Sequence, residues 1–170
     1  SVFDPGEIAF PFVKDKTFPN MIDADLNMDT GMISLSFDEP IQFSSADFSL
    51  VTISNNLGTS LVLVDGQTFT TENGYVLNFS MFSVDVNLIK ATINLATERT
   101  NTFVSIASRL FLDTSRNENN PATKEVGTFI EDSTKPQLLS FDRLDLTAGV
   151  LILAFNEPVN ASSVLPTHIV

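Results

Sequence analysis

Apolar and polar residues alternate along several short stretches of the chain. In residues 31–38, Ile33, Leu35 and Phe37 alternate with polar residues, which is the pattern of a strand with one buried face. Comparable patterns predict further strands over residues 20–26, 48–54, 60–64, 75–81, 91–95 and 102–108. Residues 83–90 fit both a helical turn and a strand. Short strands separated by turn residues about every ten positions predict an all-β antiparallel sandwich. The residues expected in its core are Ile33, Leu35, Phe37, Phe103 and Ile106.

Two segments of the chain recur further along it. Residues 15–19 (DKTFP) return as residues 132–136 (DSTKP), 117 positions later, and residues 31–40 (GMISLSFDEP) return as residues 149–158 (GVLILAFNEP), 118 positions later. One inserted residue near Arg143 reconciles the two spacings. Self-similarity at a fixed period is typical of tandem repeats. The repeat predicts that residues 1–14 are the tail of a preceding unit or a leading segment, 15–131 a complete unit, and 132–170 the first strands of a second, truncated unit.

The recurring residues resemble the bacterial-type, SbsA-like Ig-like repeat of S-layer proteins and other large extracellular surface proteins. The shared marks are an Asp-x-Thr-x-Pro opening at 132–136 and a glycine-led strand ending in Phe-x-Glu-Pro-Val at 155–159. A late Asp-x-x-Gly-Asn turn is found at 113–117, with Arg116 in place of the glycine. The resemblance covers nearly all of the chain. It implies an Ig-like sandwich in tandem repeats of about 117 residues, with a structural or adhesive role outside the cell or at its surface.

Composition excludes several other classes of function. Nine Lys and Arg residues against 21 Asp and Glu give a net charge of −12, which repels phosphate backbones, so nucleic acid is not expected as a partner. The chain has no Cys and a single His, His168, which removes thiol chemistry and leaves no His-centred catalytic pair. No apolar stretch approaches the roughly 18 residues of a membrane helix. A glycosidase with a pair of catalytic carboxylates is also not expected, because the sequence offers few aromatic platforms on which a sugar could stack. The sequence therefore predicts neither an enzyme nor a membrane span.

Acidic residues gather at the ends of the predicted units. Calcium takes six to eight oxygen ligands, and Asp15, Asp113 and Asp132 are candidates for such a site, although their spacing matches no EF-hand loop. A solvated acidic surface is the alternative interpretation, and no other cofactor is expected. Asn78 and Asn160 each begin an Asn-x-Ser sequence, the acceptor motif for N-glycosylation in a secretory pathway.

The glycine-led strand of the second unit is apolar on both faces. Val150, Ile152 and Ala154 occupy positions where the first unit has a methionine and two serines. Because a strand that is apolar on both faces is buried on both, these residues predict contact with other copies of the chain or with neighbouring Ig-like modules. The favoured hypothesis is a non-catalytic module of a surface layer, matrix or filament. The alternative is an accessory module that binds carbohydrate or Ca²⁺ beside a larger enzyme or receptor.

Overall fold

The computed structural model describes residues 13–165 and is built mainly of short β-strands. The strands are β1 (Met21–Asn27), β2 (Met32–Gln42), β3 (Val51–Ser54), β4 (Ser60–Val62), β5 (Gly66–Thr68), β6 (Gly74–Met81), β7 (Phe103–Ile106), β8 (Leu112–Asp113), β9 (Ala122–Glu125), β10 (Phe129–Ile130), β11 (Leu138–Asp145) and β12 (Val150–Phe155). A single α-helix of these residues, α1 (Ser83–Ala91), lies between β6 and β7. No helix in this part of the chain is long and apolar enough to cross a membrane.

Strands β1 to β10 form two sheets. The order in the first sheet is β10-β1-β2-β6-β5, with β8 paired to the far end of β2, and the order in the second is β4-β3-β7-β9. Neighbouring strands run antiparallel, except that β10 runs parallel to β1. Strands β11 and β12 pair only with each other, as an antiparallel hairpin. The all-β, largely antiparallel architecture confirms the predicted fold class.

The core lies between the two sheets. On β2, Ile33, Leu35 and Phe37 are at most 1% exposed, and they share one apolar cluster with Val104 and Ile106 of β7. The ring of Phe37 also packs edge-on against that of Phe111, with centroids 4.5 Å apart. Burial of every second residue is the cause of the period of two in the sequence.

Two sequence predictions are wrong in detail. Phe103 was expected in the core but is only half-buried, because residues 103 and 106 point to opposite faces of one strand and Ile106 is the buried one. Residues 91–95 form no strand. The helix α1 continues to Ala91, and the left-handed φ angles of Asn94 (62°) and Ala96 (48°) then turn the chain.

The predicted domain boundaries extend beyond the described residues. Residues 1–12 of the expected leading segment, the last five residues of the expected second unit and the single histidine, His168, all lie outside the described range.

Candidate functional site

The hairpin β11–β12 repeats the hairpin β1–β2 pair by pair. In the first, Met21, Ala24 and Leu26 lie opposite Phe37, Leu35 and Ile33, and in the second, Leu138, Phe141 and Leu144 lie opposite Phe155, Leu153 and Leu151. Both hairpins show a shift in register after their first pair. The second hairpin has one further shift, between Phe141 and Arg143, where the sequence has its inserted residue. The insertion is therefore absorbed as a β-bulge, and the register of the repeat is kept.

The turns and ends of the two hairpins use the same devices. Gly31 and Gly149 both adopt a left-handed φ, of 71° and 64°, which a side chain disfavours. In the first turn the side-chain oxygen of Asn27 accepts hydrogen bonds from two backbone N–H groups, and Asp145 does the same in the second. At the open end of the second hairpin, the N–H of Gln137 donates to the Asn156 side chain at 2.6 Å, matching the bond from Asn20 to Asp38 in the first. Residues 138–155 are thus a structural repeat of residues 21–37.

Lys90, on helix α1, joins the first unit to the second hairpin. Its Nζ atom lies 2.9 Å from Asp132 Oδ2 and 2.8 Å from Glu157 Oε2. The Lys90 side chain is 15% exposed and that of Glu157 only 7%. Burial by itself would lower the pKa of Lys90, but the hydrogen bonds to Glu157 and Asp132 outweigh it and raise the pKa above its usual value. We call Lys90, Asp132 and Glu157 the junction clamp.

A second contact across the junction is made by Asp29, which follows β1. Its Oδ1 accepts hydrogen bonds from the backbone N–H and the hydroxyl of both Ser133 and Thr134, at 2.9 to 3.1 Å. These bonds, with that from the Thr134 hydroxyl contributing most, lower the pKa of Asp29. A cleft of about 310 Å³ is lined by Leu95 and Phe129 of the first unit and by Pro136 of the linker, which is residues 131–137 between β10 and β11. Asp29 and the junction clamp therefore hold the linker at two points.

The sequence-predicted calcium ligands divide between two places. Asp15 and Asp113 come together with Glu39, and one carboxylate oxygen of each lies within 4.8 Å of the others. We call these three residues the acidic cluster. Asp132 is not part of it and pairs with Lys90 instead. Burial raises the pKa of Glu39, and the charges of Asp15, Asp113 and Asp38 raise it further.

Asp113 also has a structural task, since it builds the turn that follows β8. The side chain is buried, and its Oδ1 accepts from the N–H groups of Ser115 at 2.8 Å and Asn117 at 2.7 Å. Its Oδ2 accepts from the Asn117 side-chain amide at 2.8 Å. Arg116 adopts a φ of 68°, so this position keeps the left-handed conformation that suits glycine.

Sequence analysis did not identify Glu39, Lys90 or Glu157 as site residues. The signal for the two glutamates was available, because each precedes a proline at an equivalent position of the repeat. That Glu-Pro pair was interpreted only as the end of a strand. The part played by Lys90 had no such signal, because it depends on how α1 packs against the linker.

The other predicted site residues lie on or near the sheets. Asn78 is a half-buried residue of β6, and Asn160 is exposed and caps a short 3₁₀ turn by accepting from the Ser162 N–H at 3.0 Å. On β12, Val150 and Ile152 are 41% and 43% exposed, and Ala154 is half-buried. Glycosylation at the asparagines and assembly through β12 remain predictions.

Comparison with known proteins gives only distant structural likenesses. No protein-family model matches the chain, and no curated protein sequence does so. The chain is similar to the solved structure of the S-layer protein rSbsC(31-844), with a TM-score of 0.47 and 17% identity over 80% of this chain and 19% of that one. It is also similar to the N-terminal part of the bacterial S-layer protein SbsC, with a TM-score of 0.46 and 16% identity over 80% of this chain and 32% of that one. TM-scores below 0.5 do not establish a shared fold.

Proposed function

We propose that this chain is a non-catalytic structural module, consisting of one β-sandwich and the start of a second, in a protein of tandem repeats. The observation that carries the proposal is the second hairpin, which reproduces the first in register, turn and end contacts. In the first hairpin the inward residues form the core of a sandwich, whereas Phe141 and Leu144 of the second are 68% and 66% exposed. An apolar sheet face of this kind is normally packed against another sheet. The repeat indicates that the remainder of a second sandwich packs against it.

A structural role also requires that adjacent units keep a defined orientation. The linker between the units is held by the junction clamp and by the four hydrogen bonds to Asp29. A linker without such contacts behaves as a flexible coil and transmits neither spacing nor direction. The built junction therefore favours a module that spaces or stiffens a longer assembly.

For location, we propose the cell surface or the extracellular space. The support is the resemblance of residues 132–136 and 155–159 to Ig-like repeats of surface proteins. Immunogold labelling of intact source cells with an antibody to this chain tests the location. We expect gold along the outer surface before permeabilisation. Labelling that appears only after permeabilisation would refute an extracellular structural role.

One observation favours the alternative of a calcium-binding accessory module, namely the acidic cluster of Asp15, Glu39 and Asp113. Calorimetric titration of the full chain with CaCl₂ separates the two proposals. The structural proposal expects no saturable heat at millimolar calcium, whereas an accessory calcium module expects one ion per chain and loss of binding in Glu39→Gln.

A further inference from the structure

The two units carry equivalent carboxylates in different surroundings. In the repeat, Asp132 corresponds to Asp15 and Glu157 corresponds to Glu39. Asp132 and Glu157 hold the ammonium group of Lys90 at 2.9 and 2.8 Å. Asp15 and Glu39 instead lie beside a third carboxylate, that of Asp113. Among residues 13–165, no lysine or arginine forms a salt bridge with any of these three acidic residues.

Three carboxylates this close together favour a cation. Their oxygens lie within 4.8 Å of one another, and like charges at such a distance repel unless a positive group comes between them. Calcium fits less well than an ammonium group, because it takes six to eight oxygens and the Asp113 oxygens already accept three hydrogen bonds from their own turn. An ammonium group needs only three acceptors.

The groups that would pair with the acidic cluster lie at the other end of the first unit. Lys90 and Asp29 both lie at the end of the first unit that meets the linker, where Asp29 binds Ser133 and Thr134. The repeat equivalents of those two residues are Lys16 and Thr17, which directly follow Asp15. A copy of the unit placed before Asp15 in the observed way would bring its own lysine to the acidic cluster and its own Asp29 to Thr17.

On this basis we propose that the acidic cluster of Asp15, Glu39 and Asp113 is a socket for the Lys90 ammonium group of an adjoining copy of the unit. Each unit then offers a lysine at one end and a socket at the other, and successive units join head to tail. The inference rests on the proposed function, since it assumes that units follow one another in an array.

The test uses the full chain with a second copy of residues 15–131 inserted directly before Asp15. We call the inserted copy the outer copy and the original residues 15–131 the inner copy. This chain has a new junction, where the outer copy meets the socket of the inner copy, and the original junction at Asp132. Each junction contains Glu131, so a glutamate-specific protease cuts at both, and the fragment sizes distinguish them. We expect Lys90→Met in the outer copy to speed cleavage at the new junction about tenfold, which corresponds to a loss of about 1.4 kcal/mol.

A double-mutant cycle shows whether the lysine acts through the socket. Glu39→Gln in the inner copy should speed cleavage at the new junction by a similar factor, and combining it with the outer Lys90→Met should add little. The matched control is Lys135→Met, which removes an exposed lysine and should change neither junction. Lys90→Arg in the outer copy retains a cation and should keep most of the protection.

Three results would overturn the socket, and they differ in what they leave standing. If Lys90→Met in the outer copy leaves the new junction unchanged while the same change in the inner copy loosens the original junction, the socket is wrong and the structural module stands. If neither substitution affects its junction, both proposals fail. If millimolar Ca²⁺ binds the unduplicated chain and Glu39→Gln abolishes that binding, the socket takes a metal ion in place of a lysine.

Discussion

Replacing Lys90 with Met tests whether the junction clamp fixes the second hairpin to the first unit. Methionine keeps an unbranched side chain and a comparable helix propensity, so α1 should stay intact. The substitution leaves Asp132 and Glu157 facing each other without a cation. Because the Glu157 side chain is 7% exposed, its carboxylate cannot recover full hydration.

The size of the effect follows from the burial of the three groups. Exposed ion pairs contribute about 0–1 kcal/mol, whereas breaking a buried pair costs about 3–5 kcal/mol. Asp132 is 28% exposed and Lys90 15%, so the clamp lies between these limits. We expect a loss of about 2–3 kcal/mol in the free energy that holds the hairpin in place, which corresponds to a factor of about 30 to 150.

Native-state hydrogen exchange measured by NMR shows where the loss falls. In Lys90→Met, amides of β11 and β12 should exchange faster by that factor, while amides of β2 and β6 should change little, because the sandwich is held by its own sheets and core. Lys135→Met is the matched control and should leave both sets unchanged. Equal exchange of the hairpin amides in Lys90→Met and the unaltered chain would refute the clamp.

Four further predictions test other parts of the structure. Phe37→Ala should lower the free energy of unfolding by about 3–5 kcal/mol, and Phe69→Ala, at a 54% exposed position, by less than about 0.5 kcal/mol in urea titrations; equal losses would contradict the assigned core. Arg116→Gly should raise stability by about 1 kcal/mol by removing a side chain from a left-handed position, and a fall would show that the arginine is needed there. Because the raised pKa of Glu39 makes its ionised form costly, Glu39→Gln should stabilise the chain at pH 7 and have no effect below about pH 4; a pH-independent effect would exclude this cause. Ile152→Lys should reduce self-association in sedimentation velocity while the sandwich stays folded, and unchanged association would remove β12 as an assembly surface.

The strand pattern and the repeat were predictable because each depends on local sequence. Alternation over Ile33, Leu35 and Phe37 follows directly from the pleat of a strand with one buried face. The insertion near Arg143 was also visible as a change of spacing, although only the structure shows that a bulge absorbs it. Phe103 was misplaced because it was put in the core together with Ile106, whereas residues three positions apart on one strand face opposite sides.

The junction could not be predicted from sequence because it depends on tertiary packing. Residues 83–90 fit a helix and a strand equally well, and only as a helix do they present Lys90 to the linker. Asp132 was predicted as a calcium ligand because acidic residues gather at the ends of the predicted units. Its actual partner, Lys90, lies 42 positions away in the sequence, so no local pattern indicates the pairing. Glu39 joins Asp15 and Asp113 only because β2 brings its end beside β8.

Residual dipolar couplings of the full chain in one alignment medium show whether the first unit and the second hairpin are joined in a fixed orientation. Couplings from the sandwich strands β1, β2, β6 and β7 define an alignment tensor for the first unit. We predict that the same tensor, at the same magnitude, fits the amides of β11 and β12. If the hairpin couplings require a separate tensor of much smaller magnitude, the junction is not fixed and the second unit moves freely on a flexible linker.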